Sequence, residues 1–417
     1  MPDGTFFCPV RTRCGACQWL DVPYAEQLAR KQKNMQRLFG PLSNSATTFR
    51  DIAGMDDPRY YRNKVTSPYV PGRKLGAPAG KRKGATKRAG KRPPAAREIL
   101  CGMYAAGTHR VIPTDECLIE NPTAKKAILA VRSLMQRYGV EPYNEDTGSG
   151  FMRHAVVRVG HSSGEVLVTL VTNGAAFPGS RNFCRELTRR VPAITTVVQN
   201  VNTRQTNVIL GTEEKTLYGP GFILDTLCGL SFRISSHSFY QVNSTQTEVL
   251  YRRAIEMAQL TGSETAFDAY CGTGTIGLVA ARGLPDAPEQ HAAQVIGVDN
   301  VEAAIKDARA NAEHNGIANA TFHAVDAGAF MVEQARAGES LDVLLMDPPR
   351  AGASASFIEA TATLAPARIV YISCNPTTQA RDVRALADHG YRLREVQPVD
   401  MFPHTTHTEC ICRLERA

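Results

Sequence analysis

Cys374 stands in Ile-Val-Tyr-Ile-Ser-Cys-Asn-Pro, a thiol placed where an apolar strand gives way to a polar turn. A thiolate is a good nucleophile, and at a strand end its pKa is open to tuning. Elsewhere a lone cysteine is an ordinary small apolar residue. Four other turns place polar groups in the same way: Tyr270 followed by Cys271-Gly-Thr-Gly-Thr-Ile-Gly277, then Asp299, Asp326 and Asp347-Pro-Pro-Arg350. Gly272, Gly274 and Gly277 match G-x-G-x-x-G, in which glycines let the backbone approach a ligand and an acid on the next strand, here Asp299, binds ribose hydroxyls. That pattern also serves dinucleotides, so a nicotinamide oxidoreductase is one reading. Glu409, in Pro403-His-Thr-Thr-His-Thr-Glu-Cys410, is a candidate general base with His404 and His407 as orienting neighbours. The same stretch, with Cys412, offers metal ligands, but Cys410 and Cys412 alternate within an apolar strand pattern and are expected to face packing. Gln241 can offer its amide to a ligand, whereas Phe239 and Tyr240 read as core. Near the start, Cys8, Cys14 and Cys17 form C-x5-C-x2-C, a metal signal for which zinc is the default.

A frame must bring these groups together. The segments TAFDAY, QVIGVDN, ATFHAVDA, LDVLLMDPP and RIVYISCNP alternate with helical patterns such as VEAAIKDARANAEHNG. That alternation predicts a doubly wound, mostly parallel α/β sheet, in which ligands bind beyond the carboxyl ends of the strands. Five strand ends then converge on one rim. A helix over Ser244–Gln259 leads into this unit, and LREVQPVDM and ECICRLE close it as strands. Upstream, about 155–236 reads as strands and turns of an α+β domain. HAVVRVGHSSGEVLVTLVTN is one hairpin and ITTVVQNVNTRQTNVILG looks like another. Helices are predicted over Tyr24–Phe39, closed by Gly40, and over Asn121–Tyr138. The expected division is 1–237 and 238–417.

With 417 residues, 43% hydrophobic and 21% charged, the chain is long enough for two or three domains with buried cores. That composition excludes disorder throughout, collagen and coiled coil. No apolar run approaches the roughly 18 residues of a membrane span and no signal peptide opens the chain. A cytoplasmic, reducing location is expected, with the 11 cysteines serving metal or catalytic roles rather than a disulfide scaffold. The net charge is +8, yet 73–97 holds ten basic residues and no acidic one, so the remainder carries −2. This segment is rich in Gly, Ala, Pro, Lys and Arg and is expected to be a disordered loop, either a solvated linker or a contact to an RNA backbone.

SFYQVN, DAYCGTGTIG, DPPRAG, YISCNP and PHTTHTE, in this order, resemble the RNA uracil-C5 methyltransferase family. The similarity covers nearly the whole chain apart from the basic insert. The fold it implies is a Rossmann-like class I methyltransferase domain at the C-terminus, after an α+β central domain and an N-terminal iron–sulfur segment. CxxCQWLDVPYAEQLARKQ, with no preceding β-barrel RNA-binding domain, is most similar to short bacterial 23S rRNA uridine-747 methyltransferases; tRNA or other rRNA uridines are the alternative substrates. By the family's pattern Cys374 is the nucleophile that adds to uracil C6 and Glu409 removes the C5 proton. Gln241, Tyr270, Thr275, Asp299, Asp326 and Asp347 fall on positions for S-adenosylmethionine. The family often has Asn at the place of Thr275, and Asn or Asp at that of Asp326. The resemblance also implies a 4Fe-4S cluster on Cys8, Cys14, Cys17 and Cys117, with Cys101 the rival fourth ligand. It implies an RNA partner, no membrane, and no obligate protein partner. A catalytically silent RNA-binding protein is the remaining reading.

Overall fold

The computed structural model describes residues 5–74 and 97–417, so most of the basic 73–97 segment lies outside the described residues. The chain opens with one helical turn, α1 (Arg11–Cys14), then α2 (Tyr24–Phe39) and a two-residue strand, β1 (Thr48–Phe49).

A central sheet follows. Its strands are β2 (Lys64–Lys74), β3 (Arg97–Tyr104), β4 (Val111–Pro113), β5 (Met152–Val159), β6 (Val166–Thr172), β7 (Ile194–Val201) and β8 (Glu213–Tyr218), in the order β4-β3-β2-β5-β6-β7-β8. Lys74 pairs with Arg97, so the basic segment joins two neighbouring antiparallel strands. Helices α3 (Pro122–Tyr138) and α4 (Ser180–Arg190) cover the sheet, burying Ile128, Leu134, Phe183 and Leu187 with Val157, Val168 and Leu170. Asn121 starts α3 by accepting from the Thr123 and Ala124 amides, a cap worth about 1 kcal/mol. The first expected hairpin is β5–β6, which pairs Val157 with Val168.

The second expected hairpin does not form over that span. β7 runs parallel to β6 and pairs antiparallel with β8, and NVILG is loop. Side chains take over from a ladder there: Asn202 donates to the Val208 and Ile209 carbonyls, and Asn200 exchanges two hydrogen bonds with the Gly211 backbone. Strand β8, EEKTLY, is a mostly exposed edge whose charges hide it from an apolar periodicity.

The hairpin β9 (Ile223–Leu227) and β10 (Leu230–Ile234) leads to α5 (Ser244–Ala258). Then strands and helices alternate: β11 (Thr265–Ala269), α6 (Thr275–Arg282), β12 (Gln294–Asp299), α7 (Glu302–His314), β13 (Ala320–Ala324), α8 (Ala327–Ala337), β14 (Val343–Met346), α9 (Ala355–Leu364), β15 (Arg368–Ser373) and α10 (Pro376–Asp388). The closing strands are β16 (Tyr391–Val399) and β17 (Glu409–Arg416). The sheet order is β1-β16-β17-β15-β14-β11-β12-β13. β11 to β15 are parallel, and β17 runs against both of its neighbours. β11 has β14 on one side and β12 on the other, so strand order reverses there, and this switch point is where open α/β sheets bind ligands.

Sequence periodicity did not reveal where the N-terminal elements go. β1 extends the eight-stranded sheet by pairing with β16, and α2 inserts Met35 and Phe39 into the core formed by Val396, Leu386 and Tyr391. Lys31 of α2 is buried and paired with Asp400 at 2.6 Å.

Candidate active site

Local sequence explains the shape of the rim. After β11, Tyr270 takes a left-handed conformation (φ 64°), and Gly272 and Gly274 follow at φ 55° and 76°. Their positive φ favours glycine. A Cβ on Gly274 would lie 2.9 Å from the Phe322 ring, whereas one on Gly272 would enter open space at the cavity wall. The backbone at Gly272 is therefore free to be approached. Asp299 at the end of β12 accepts from the Gly272 amide (3.1 Å) and the Val301 amide (2.8 Å), which fixes its carboxylate beside the loop. Asp326 caps α8 by accepting from Ala329. Asp268, read only as a strand residue, accepts from the Gly277 amide at 2.9 Å and locks the first turn of α6.

On the other side of the switch point, two turns are tied together. Asn375 caps α10, with Pro376 at its first position, so the chain turns sharply just after Cys374. The Asn375 side-chain amide and the Thr378 hydroxyl both donate to the Arg350 carbonyl, at 3.0 and 3.1 Å. This fixes the Arg350 turn beside the strand end that carries Cys374, and the Arg350 guanidinium favours the ionised form of that thiol.

A cavity of about 1230 Å³ joins both sides. Gln241, Tyr270, Gly272, Asp299 and Asp326 line one part, and Asp347, Arg350, Cys374, Phe402 and Glu409 another. Burial holds the Cys374 thiol above its ordinary value, with the carboxylates of Glu409 and Asp347 adding to this and Arg350 opposing it. Burial pushes Glu409 up to about 8, helped by Asp347 and opposed by Arg350, and burial raises Asp347 as well. Two carboxylates that share a water-poor site resist ionising together. The arrangement thus holds a thiol, a proton acceptor of raised basicity and a cation at one point. That set suits addition of a thiolate to an electrophilic carbon followed by proton abstraction.

Some expectations fall elsewhere. Thr275 is buried and bonds its hydroxyl to Tyr251 at 2.8 Å, outside the cavity lining. His404 does not orient Glu409. Its ring nitrogens face Gln27 and the Pro58 carbonyl, and it anchors the chain through left-handed φ (65°). No hydrogen bond from His407 to Glu409 is present among the described residues, and its ring meets Phe402. Phe239, expected in the core, is 69% exposed at the cavity, while Tyr240 beside it is buried. The sequence shows Arg350 only as part of its turn; its position directly after the paired prolines is the available signal. Cys410 and Cys412 are both buried in the core, as their alternation suggests.

Cys8, Cys14, Cys17 and Cys117 are all free thiols. Cys17 is pushed up to about 12, first by burial and then by the fields of Cys117, Cys14 and Cys8. Burial pushes Cys117 up to about 11, helped by the field of Glu120 and opposed by the backbone amides of Ile119 and Glu120. Cys101 lies apart, fully buried in the core under α3 beside Tyr69. Among the described residues, no three His, Cys, Asp or Glu side chains close to the spacing that grips a metal ion.

Fold and site together define a class I methyltransferase. The profile of the tRNA (Uracil-5-)-methyltransferase family matches residues 226–417. An uncharacterized RNA methyltransferase of Halalkalibacterium halodurans is 41% identical over 98% of this chain and 82% of its own length. One of Listeria innocua is 39% identical over 97% and 82%. Among solved structures, Pyrococcus abyssi tRNA (uracil-54, C5)-methyltransferase in complex with S-adenosyl-L-homocysteine superposes with a TM-score of 0.70. It is 27% identical, with coverage of 94% of this chain and 83% of that one. The chain belongs to the S-adenosylmethionine-dependent RNA uracil-C5 methyltransferase family.

Proposed function

We propose that the protein methylates C5 of a uridine in 23S rRNA, a site of the uridine-747 type, with Cys374 as nucleophile and Glu409 as base. The observation that carries the residue roles is the meeting of Cys374, Arg350, Asp347 and Glu409 in one cavity with the glycine loop and Asp299. Uracil C5 is a weak nucleophile. Addition of the Cys374 thiolate to C6 makes C5 enolate-like, and C5 then takes the methyl group from the sulfonium of S-adenosylmethionine. Glu409 removes the C5 proton, and the thiolate leaves as the C5–C6 double bond returns. Arg350 steadies the thiolate at both ends of this sequence. Gln241, Tyr270, Asp299, Asp326 and Asp347 bound the cofactor's part of the cavity. Thr275 supports it from behind through Tyr251. The target base must leave its RNA stack to be reached there. Residues 238–417 form most of the catalytic unit, to whose sheet and core β1 and α2 also belong, and the rest of 1–237 holds the cysteine segment and central sheet. Among the described residues no helix is long and apolar enough to cross a membrane, and we assign the protein to the cytoplasm with its rRNA. Mapping 5-methyluridine in rRNA and tRNA of a deletion strain tests the substrate. Loss at one 23S position supports it, and loss confined to tRNA overturns it.

The same reading assigns a 4Fe-4S cluster to Cys8, Cys14, Cys17 and Cys117, and the fields of the other three on Cys17 support it. Four thiolates are what such a cluster requires, and its part is structural because methyl transfer moves no net electrons. Anaerobically purified protein is expected to hold iron and sulfide in equal amounts, lost in Cys117→Ser and kept in Cys101→Ser.

The basic insert adds RNA contacts through Lys81, Arg82, Lys83, Lys87, Arg88, Lys91 and Arg92. Deleting 75–96 leaves β2 and β3 intact. It is expected to weaken RNA binding and to flatten its salt dependence by about 0.7–0.9 log units per log salt for each phosphate the insert neutralises. S-adenosylmethionine affinity should not change. An unchanged salt slope would mark the insert as a linker.

A further inference from the structure

Arg158 of β5 is 3% exposed, and its guanidinium forms no ion pair among the described residues. Its hydrogen bonds go to two backbone carbonyls instead: Nη2 donates to Ser238 and Nη1 to Tyr240, both at 3.1 Å. The guanidinium also lies 5.8 Å from the Tyr240 ring centre. Burial pulls it down to about 10, with only the fields of Tyr240 and Asp225 in opposition. A buried cation with no carboxylate in direct contact is costly, and an apolar side chain of similar volume is often no less stable. Core packing therefore does not explain it.

Its partners do. The two carbonyls flank Phe239, which lines the cavity, and the next residue is Gln241, which lines it too. Asn63, just before β2, continues the grip: its side chain donates to the Gln241 carbonyl at 2.9 Å and its amide to the Val242 carbonyl at 2.8 Å. From the front, the Ser238 hydroxyl donates to Asp307 at 2.8 Å. Residues 238, 240, 241 and 242 are each fixed, and the fixing from behind comes from the central part of the chain rather than from the sheet that carries Cys374.

We propose that Arg158 is a positioning residue for methyl transfer: it presents Gln241 and Phe239 to the cavity from behind and thereby sets the affinity for S-adenosylmethionine. The proposal rests on the assignment of Gln241 to the cofactor pocket. The fork geometry matters more than the charge, since a lysine reaches one carbonyl where arginine reaches two.

Calorimetric titration of the full-length protein with S-adenosylmethionine tests this with Arg158→Met, Arg158→Lys, Gln241→Ala and the Arg158→Met/Gln241→Ala double variant. Arg158→Met is expected to raise Kd by about 10-fold or more, and Arg158→Lys by less. The double variant should bind no more weakly, within about 2-fold, than the more severe single one, because Arg158 acts through the loop that carries Gln241. Losses that add in the double variant overturn the proposal. So does a fall in binding stoichiometry with Kd unchanged, the mark of a purely structural role. Should Arg158→Met fail to fold, Arg158→Lys takes its place in the cycle. Normal binding by Gln241→Ala overturns the pocket assignment itself, which a weak Gln241→Ala with a normal Arg158→Met would leave standing while refuting the proposal.

Discussion

Replacing Cys374 by alanine is expected to lower methyl transfer by at least about 10⁴-fold, because no step before nucleophilic addition makes C5 reactive. Cys374 is half-buried at the end of β15, and the turn that carries it is held by the Asn375 cap and by ties to Arg350. Alanine is smaller and keeps both, so folding and RNA affinity should survive. That split separates the enzyme from a silent RNA-binding protein: turnover vanishes while RNA binding stays within about 3-fold. A Cys374→Ala protein that still methylates RNA would remove the nucleophile from its assigned role. Arg350→Ala should act in the same direction through the thiol whose ionised form it favours.

Glu409→Gln is expected to slow turnover by about 10²–10⁴-fold at a different step. The amide cannot take the C5 proton, so the methylated RNA stays joined to Cys374. On a denaturing gel this variant should show an RNA–protein band with natural uridine RNA and S-adenosylmethionine, whereas Cys374→Ala shows none. The same substitution has a stability signature. Glu409 is 4% exposed, and its folded value of about 8 stands above the ordinary 4.5. A raised carboxyl contributes stability that is fully present below its unfolded pKa and is lost as pH rises through its folded one. The wild type should therefore weaken between about pH 4.5 and pH 8 through this group, by on the order of a few kcal/mol at about 1.4 kcal/mol per unit. A glutamine side chain does not titrate, so the advantage of Glu409→Gln in thermal midpoint should grow from about pH 5 to about pH 9. A gap that stays constant with pH would show that the carboxyl is not held protonated by its surroundings.

The catalytic sheet was legible because strand–helix alternation is a local pattern, and each of its predicted parallel strands carries its polar residue at the end that faces the rim. Cys374 and Asp347 were readable for the same reason: an apolar run ending in Cys-Asn-Pro or Asp-Pro-Pro states both the strand and its exit. What failed depended on contacts between distant segments. NVILG has a strand's alternation, but Asn200 and Asn202 satisfy its backbone as a loop. Phe239 reads as a core residue, but its neighbours are held by distant residues, Arg158 and Asn63 from behind and Asp307 from the front, and its ring stands exposed at the cavity. His404 sits near Glu409 in sequence, yet its partners Gln27 and Pro58 lie 377 and 346 residues away. The destination of α2, on the catalytic sheet, is likewise set by the buried Lys31–Asp400 pair and by Met35 and Phe39, which no local period can assign.

The most direct test of uracil-C5 methylation through Cys374 is a denaturing gel of the purified protein with 5-fluorouridine-substituted RNA and methyl-labelled S-adenosylmethionine. Fluorine at C5 cannot leave as a proton does, so elimination is blocked after methyl transfer. The expected result is a covalent protein–RNA band that carries the methyl label and is absent in Cys374→Ala. An unlabelled RNA, no covalent band, and cofactor-dependent hydride transfer in its place would contradict it.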